Sequence, residues 1–413
     1  MIDARDTAAS DKSMNAYQSW ATLFQAFFHY LRLRKRKNLL SWNFISRSVR
    51  YNALRLFSSH PMHRRSPLVF TLAVTGRCPL QCYHCSKGYG GSYELPAEVV
   101  LRTIDEAVEL GSPVIALTGG EPFLRRELVE FLDRIPDSVM VMVYTCGHGL
   151  TGELAADLKR RPNVMVCFSL DHADPEKHDA FRGSDGAYDT VMRGIETLRD
   201  SPVEIHVSSI ATRERVLSGE LYDFARGLKD RGVTCVQFFP PRPAGKLGYD
   251  LDIYLRPEDE DRFLEITREL NRDPGAPMIV SYPAVEHRKR FGCAGGYARV
   301  YIDSHGHVCT CDFAPVSFGR VTEESFTAIW NRMRDFFETP GTRCQVCSNP
   351  EIFLKEREER NLLFSSLGEE ARSLKTDRPG LFEDLGERAY RTLYANLIIA
   401  SIFSGEYEAR IRQ

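Results

Sequence analysis

The stretch Val69-Phe-Thr-Leu-Ala-Val-Thr75-Gly-Arg-Cys78-Pro-Leu-Gln-Cys82-Tyr-His-Cys85 decides how the rest of the chain is read. Seven apolar or β-branched residues predict a strand buried on both faces, and a C-x3-C-x2-C loop follows it at once. The same rhythm recurs outward from this point. Apolar runs at Val114–Thr118, Val139–Thr145, Val164–Leu170, Val203–Ile210 and Val233–Phe239 alternate with amphipathic stretches such as Ala97–Leu110, Leu124–Arg134 and Ala187–Arg199. Six such strands separated by helices imply parallel β/α units, which right-handed crossovers curl into a full or partial barrel. Functional groups in such a barrel sit just past the C-terminal strand ends, where this cysteine loop lies.

Three thiolates leave a four-ligand site incomplete. They suit an iron–sulfur cluster with one open iron, or a catalytic zinc with an open position. A second group begins at Cys293 and reads C-x12-G-x4-C, through Gly306 to Cys311, then Cys344-Gln-Val-Cys347. Four thiolates from two knuckles close a site completely, as an iron–sulfur cluster or as a zinc ribbon. Cys309 is a spare thiol beside Cys311, which is taken as the ligand. Cys146, Cys167 and Cys235 lie in or at strand ends and read as core thiols. Eleven cysteines in a chain of 413 residues, with no basic-then-apolar order in the first ten, do not describe a secreted disulfide framework. The cytoplasm is the expected compartment.

The first loop resembles the signature of the radical SAM superfamily, whose three cysteines hold a [4Fe–4S] cluster that chelates S-adenosylmethionine (SAM) at its open iron. The resemblance implies that Cys78, Cys82 and Cys85 carry catalysis and that the backbone at His84 meets the adenine. Thr118-Gly119-Gly120-Glu121-Pro122 is similar to the superfamily's GGEP turn, which implies that Gly119, Gly120 and Glu121 bind the SAM amino group. Ser169-Leu-Asp171, His178-Asp179-Ala-Phe-Arg182-Gly183 and Gly186-Ala-Tyr-Asp189 resemble the SLDG…HDxxRG…GxFD block of the subgroup with auxiliary clusters. That block implies ribose contacts from Ser169 and Asp171 and a SAM-carboxylate contact from Arg182. Thr145-Cys146-Gly147 departs from the usual Thr-Asn-Gly. The second cysteine group resembles the auxiliary SPASM extension in its short, single-cluster twitch form, with Cys293, Cys311, Cys344 and Cys347 as ligands.

The expected fold is therefore α/β. A helical extension over 1–66 precedes a partial (β/α)6 barrel over 67–285, a twitch domain over 286–350 and a helical extension over 351–413. The expected cofactors are two [4Fe–4S] clusters and SAM. The expected activity is reductive cleavage of SAM to a 5′-deoxyadenosyl radical, which abstracts hydrogen from an unactivated C–H bond of a natural product, peptide or lipid. Net oxidation is the first outcome considered, with epimerisation or peptide maturation as alternatives. A non-catalytic iron–sulfur or zinc protein is the rival class, although a carrier has no use for a SAM-facing turn. A flavodoxin- or ferredoxin-type protein is the expected electron donor.

The formal charge of −2 conceals an asymmetry: Lys12 to Tyr93 holds thirteen Lys or Arg and no Asp or Glu. Within 17–57, Arg32, Arg34, Lys35, Arg36 and Lys37 are interleaved with Phe27, Phe28, Leu31, Leu33, Trp42 and Phe44. This pattern describes either an amphipathic helix on an anionic membrane surface or a packing helix with a solvated cationic face. No nucleic-acid motif accompanies the charge, so nucleic acid is not an expected partner.

Overall fold

The computed structural model describes residues 66–86, 93–247, 251–281, 293–337, 344 and 346. The amphipathic extension expected before Ser66, the C-terminal helices expected over 351–413 and the thiol of Cys347 lie outside the described residues.

The six apolar runs form six parallel strands: β1 (Val69–Thr75), β2 (Val114–Gly119), β3 (Met140–Thr145), β4 (Val164–Ser169), β5 (Glu204–Ile210) and β6 (Cys235–Phe239). Between them run α1 (Ala97–Glu109), α2 (Leu128–Arg134), α3 (Gly152–Lys159), α4 (Pro175–Arg182), α5 (Ala187–Leu198), α6 (Arg213–Ser218) and α7 (Glu220–Lys229). The sequence reading stops one unit short. After α8 (Pro257–Arg272) a seventh strand, β7 (Met278–Ser281), pairs parallel with β6. Four residues that follow the turn-rich Asp273-Pro-Gly-Ala-Pro277 carry too little periodicity to be read as a strand alone.

The cysteine-rich region does not build a separate sheet. Strands β8 (Arg299–Ile302), β9 (His307–Cys311) and β10 (Ala314–Arg320) form an antiparallel meander whose first strand lies parallel to β1. The result is one sheet of order β10-β9-β8-β1-β2-β3-β4-β5-β6-β7, open at β10 and β7. The last described helix, α9 (Phe326–Phe336), starts on a Ser325 cap that accepts the Ala328 N–H. Its Phe326 and Trp330 are fully buried, and the Phe326 ring meets Phe70 of β1 edge to face at 5.0 Å.

Side-chain alternation gives the sheet two unlike faces. Phe70, Leu72 and Val74, with Val141, Val143, Val166, Phe168, Val207, Val236 and Phe238, join the helices in one continuous apolar core. The opposite face carries Thr71, Ala73, Tyr144, Cys167, Ser169, His206, Ser208, Cys235 and Gln237, small or polar and largely buried. A closed barrel fills that space with branched aliphatic layers. Here it holds hydrogen-bonding groups: Tyr144 donates to Gln237 Oε1 (2.9 Å), and the Gln237 amide lies 3.1 Å from His206 Nδ1. No helix among the described residues is long and apolar enough to cross a membrane.

Truncating Phe326 to Ala removes a fully buried ring where α9 meets β1. The expected cost is about 3–5 kcal/mol, seen as a lower denaturant midpoint in equilibrium unfolding.

Candidate functional site

The cysteine loop leaves the C-terminal end of β1 and is held by two neighbouring segments. The first is the turn after β2. Gly120 N–H donates to Thr75 O (2.8 Å) and Glu121 N–H to Arg77 O (2.7 Å). At Gly119, with φ of +146°, a Cβ would stand 2.3 Å from Thr75 O; at Gly120 it would stand 2.0 Å from Arg77 O. Both glycines are thus required by the approach of one strand-end backbone to the next.

The second holder is the C-terminal end of α4. Asp174 caps the start of this helix through the Glu176 and Lys177 N–H groups, and Gly183 ends it at φ of +62°. Gln81 N–H donates to Arg182 O (3.2 Å) and Tyr83 N–H to Phe181 O (3.0 Å). The His84 ring stacks on Phe181 with centroids 4.6 Å apart, and a Cβ on Gly183 would lie 2.6 Å from Gln81 O. From the segment after β6, Lys246 N–H donates to Cys85 O (3.1 Å).

The thiols reflect this enclosure. Burial pushes Cys78 up to about 11, opposed by a backbone hydrogen bond at Leu80 and reinforced by the nearby charges of Cys82, Glu121 and Cys85. Burial raises Cys82 as well, and Arg182 works against that rise: its Nη1 lies 3.9 Å from the Cys82 sulfur. His84, stacked on Phe181, is pushed down to about 3 chiefly by burial, and its Nδ1 has no hydrogen-bond partner among the described residues.

Two carboxylates expected at the SAM contact are placed deeper than that. Glu121 is 0% exposed. Its Oε1 accepts from Phe123 N–H (2.9 Å) and Thr145 Oγ1 (2.7 Å), and its Oε2 accepts from Cys146 N–H (2.6 Å). It ties the ends of β2 and β3 together. Asp171 is likewise 0% exposed, with Oδ1 accepting from Ile210 N–H (2.8 Å) and Oδ2 from Arg182 Nε (2.7 Å). Burial alone would raise its carboxyl; the Arg182 guanidinium and the Ile210 bond hold it well below the usual carboxylate range. Ser169, by contrast, is half-buried at the end of β4.

Cys146 is a correction to the reading of three core thiols. Cys167 and Cys235 are fully buried within the sheet, but Cys146 is half-buried beyond β3, and its thiol hydrogen-bonds Glu121 at the site itself. The reading also missed His178, whose Nδ1 accepts from Asp171 N–H (3.1 Å), and Phe181, the platform under His84. Only position could have signalled Cys146, since it directly follows a strand at the functional edge.

In the second group, Cys293 is buried, and Cys311 is pushed up by burial and then by the charges of Asp312, Cys293 and Cys344. Cys309 packs instead with Ala73 and Tyr301, its sulfur 3.9 Å from His307 O.

The donor set of the first loop fits an iron–sulfur cluster. Its three thiols lie within electrostatic reach on one loop, a guanidinium offsets charge at one sulfur, and the same loop carries a buried imidazole nitrogen without a hydrogen-bond partner among the described residues. Among the described residues no three His, Cys, Asp or Glu side chains converge tightly enough to hold a single ion.

A parallel β/α sheet with a three-cysteine loop at its C-terminal edge is the arrangement that the resemblance to SAM-using iron–sulfur enzymes implies. The chain carries a radical SAM superfamily domain, matched over residues 72–212, and an iron–sulfur cluster-binding SPASM domain, matched over residues 293–349. It is 27% identical over 322 residues to the AdoMet-dependent heme synthase of Methanosarcina barkeri, covering 70% of this chain and 90% of that protein. It is 26% identical over 313 residues to the PqqA peptide cyclase of Rhizobium meliloti, covering 69% and 80%. Its fold is similar to the crystal structure of Streptococcus suis SuiB bound to S-adenosylmethionine, with a TM-score of 0.53, 15% identity and coverage of 74% and 76%. Its cofactors are accordingly SAM and the [4Fe–4S] clusters of the two domains.

Two outcomes follow from this geometry. Gly120→Ala must displace the Arg77 carbonyl, so anaerobically reconstituted variant is expected to lose roughly half its iron, that of the first site, with its circular dichroism unchanged. Buried His178, pushed down to about 4 mainly by burial, stays neutral where the unfolded chain, at about 6.5, takes up a proton. Stability therefore falls as pH drops from about 6.5 to about 4, by up to about 1.4 kcal/mol per pH unit from this group, and is level above. His178→Gln should flatten that part of a stability-against-pH curve.

Proposed function

We propose that this chain oxidises its substrate by hydrogen abstraction from an unactivated C–H bond, at the polar face of the sheet. The observation that carries the reading is the convergence of three strand ends on one loop: the β1 loop itself, the glycine turn after β2 and the Asp171–Arg182 pair after β4. When bound, the clusters and SAM supply a 5′-deoxyadenosyl radical at the first site and an electron acceptor at the second.

The chain's own residues then divide the work. Cys78, Cys82 and Cys85 hold the first cluster. His84, the Gly119–Gly120 backbone and Ser169 bind SAM, and Arg182 donors not taken by Asp171 meet its carboxylate. Glu121 and Asp171 act from below, fixing the strand ends that carry those contacts. Cys293, Cys311, Cys344 and Cys347 ligate the auxiliary cluster fully; the reach of Cys311 to both Cys293 and Cys344 supports it over Cys309. The Tyr144–Gln237–His206 chain orients polar groups of the substrate.

The relatives' names support substrates in heme synthesis or peptide modification. A heme-precursor or peptide-derived substrate is the class preferred here, with epimerisation the alternative outcome. A flavodoxin- or ferredoxin-type donor reaches the first cluster past Tyr83, which is 43% exposed beside Cys82. The basic, aromatic residues 17–57 bring the protein to an anionic membrane surface.

The test is SAM turnover. Anaerobically reconstituted and reduced protein should hold about eight irons, the content of two cubanes, and release 5′-deoxyadenosine. Cys78→Ala, Cys82→Ala and Cys85→Ala should each abolish that release while about four irons remain. Continued SAM cleavage in all three variants would remove the radical reading.

A further inference from the structure

Residue 182 touches the cysteine loop twice. Its carbonyl accepts the Gln81 N–H at 3.2 Å, and its guanidinium Nη1 reaches the sulfur of the next residue, Cys82, at 3.9 Å. The backbone bond sets where the side chain starts, so the guanidinium meets that sulfur from a fixed base. Its other end is fixed too: Nε and Nη2 each lie 2.7 Å from Asp171 Oδ2. Asp171 is itself immobilised, because its second oxygen accepts Ile210 N–H at 2.8 Å and its own N–H is taken by His178. A fully buried carboxylate with both oxygens engaged by the protein is placed to aim a neighbour, since it offers nothing to a ligand above it.

We propose that Arg182, aimed by Asp171, directs a charge-assisted N–H···S hydrogen bond at the Cys82 thiolate and thereby raises the reduction potential of the cluster that Cys82 holds. Both are positioning residues in this role. The proposal rests on the cluster assignment made above. Its physical basis is that a reduced cluster carries one more negative charge than an oxidised one. A cation and a hydrogen bond at a ligand sulfur stabilise the reduced form more, as outer-shell donors do at iron–sulfur sites generally. Arg182 is 7% exposed and Asp171 0%, so a contact made from this pair is less screened than one in water.

Full-length protein, reconstituted anaerobically and without SAM, is titrated potentiometrically with electron paramagnetic resonance detection. The signal that changes on adding SAM belongs to the first cluster, and the unchanged signal is an internal reference. Arg182→Gln is expected to cut the ratio of reduced to oxidised first cluster about tenfold at a given potential, a shift of about 59 mV to the negative for one electron. Asp171→Asn separates aiming from charge. Removal of a negative charge alone would raise the potential, whereas loss of aim lowers it, so a negative shift is expected. A positive shift in Asp171→Asn overturns its positioning role, and an unmoved potential in Arg182→Gln overturns the proposal. Should the Gln variant assemble too little cluster, Arg182→Lys keeps the cation without the planar fork and should shift the same way by less; a wild-type potential there also overturns it. Absence of 5′-deoxyadenosine from the wild-type protein would instead remove the cluster assignment, so the two failures remain distinct.

Discussion

The docking of α4 on the cysteine loop is the contact on which the rest of the site depends. A loop of eight residues from Cys78 to Cys85 has no regular structure of its own, and a cluster needs its thiols held in register before any metal arrives. The helix end supplies that register through two backbone hydrogen bonds, one stacked ring pair and a glycine with no room for a Cβ. Because the last turn of α4 uses its C-terminal carbonyls on the loop, they are satisfied there rather than by water. The left-handed Gly183 then turns the chain away before it would collide with Gln81.

A second layer of constraint lies under the first. Glu121 and Asp171 bury ionisable groups completely, which is costly unless every oxygen is paired. Both are paired, and in the same manner: each carboxylate spans the ends of two neighbouring strands, β2 to β3 and β4 to β5. Parallel strands end in a row of backbone N–H groups with no partner in the ladder, and these carboxylates take up two of them. The polar satisfaction of the sheet edge and the rigidity of the site are thus one arrangement.

Much of this could be read before folding. Apolar runs bounded by turn residues marked six strands because strands buried on both sides need continuous hydrophobicity, and the cysteine spacings marked both metal-binding regions. What the residues did not disclose was direction. Gly119 and Gly120 suggest room for a ligand, yet the space they spare is filled by the Thr75 and Arg77 carbonyls. An acidic side chain beside a binding turn suggests a contact with an ammonium, yet Glu121 turns inward to Thr145 and Cys146. Cys146 follows an apolar strand and so resembles a core thiol, although the strand has already ended. The four-residue β7 and the merging of β8 with β1 are tertiary facts, because pairing partners are chosen by the whole sheet.

That merging has a chemical meaning. Strand β8 lies beside β1 in parallel register, with Tyr301 opposite Thr71, so the segment between Cys293 and Cys311 is tied to the same strand that launches the first cysteine loop. Burial of Phe326 and Trp330 against Phe70 locks the arrangement from the helix side. Two domains joined by a flexible linker would let their metal centres drift relative to each other, and electron transfer between centres depends on their separation. A single sheet removes that freedom. The continuity of the sheet therefore fixes the two cysteine regions relative to each other.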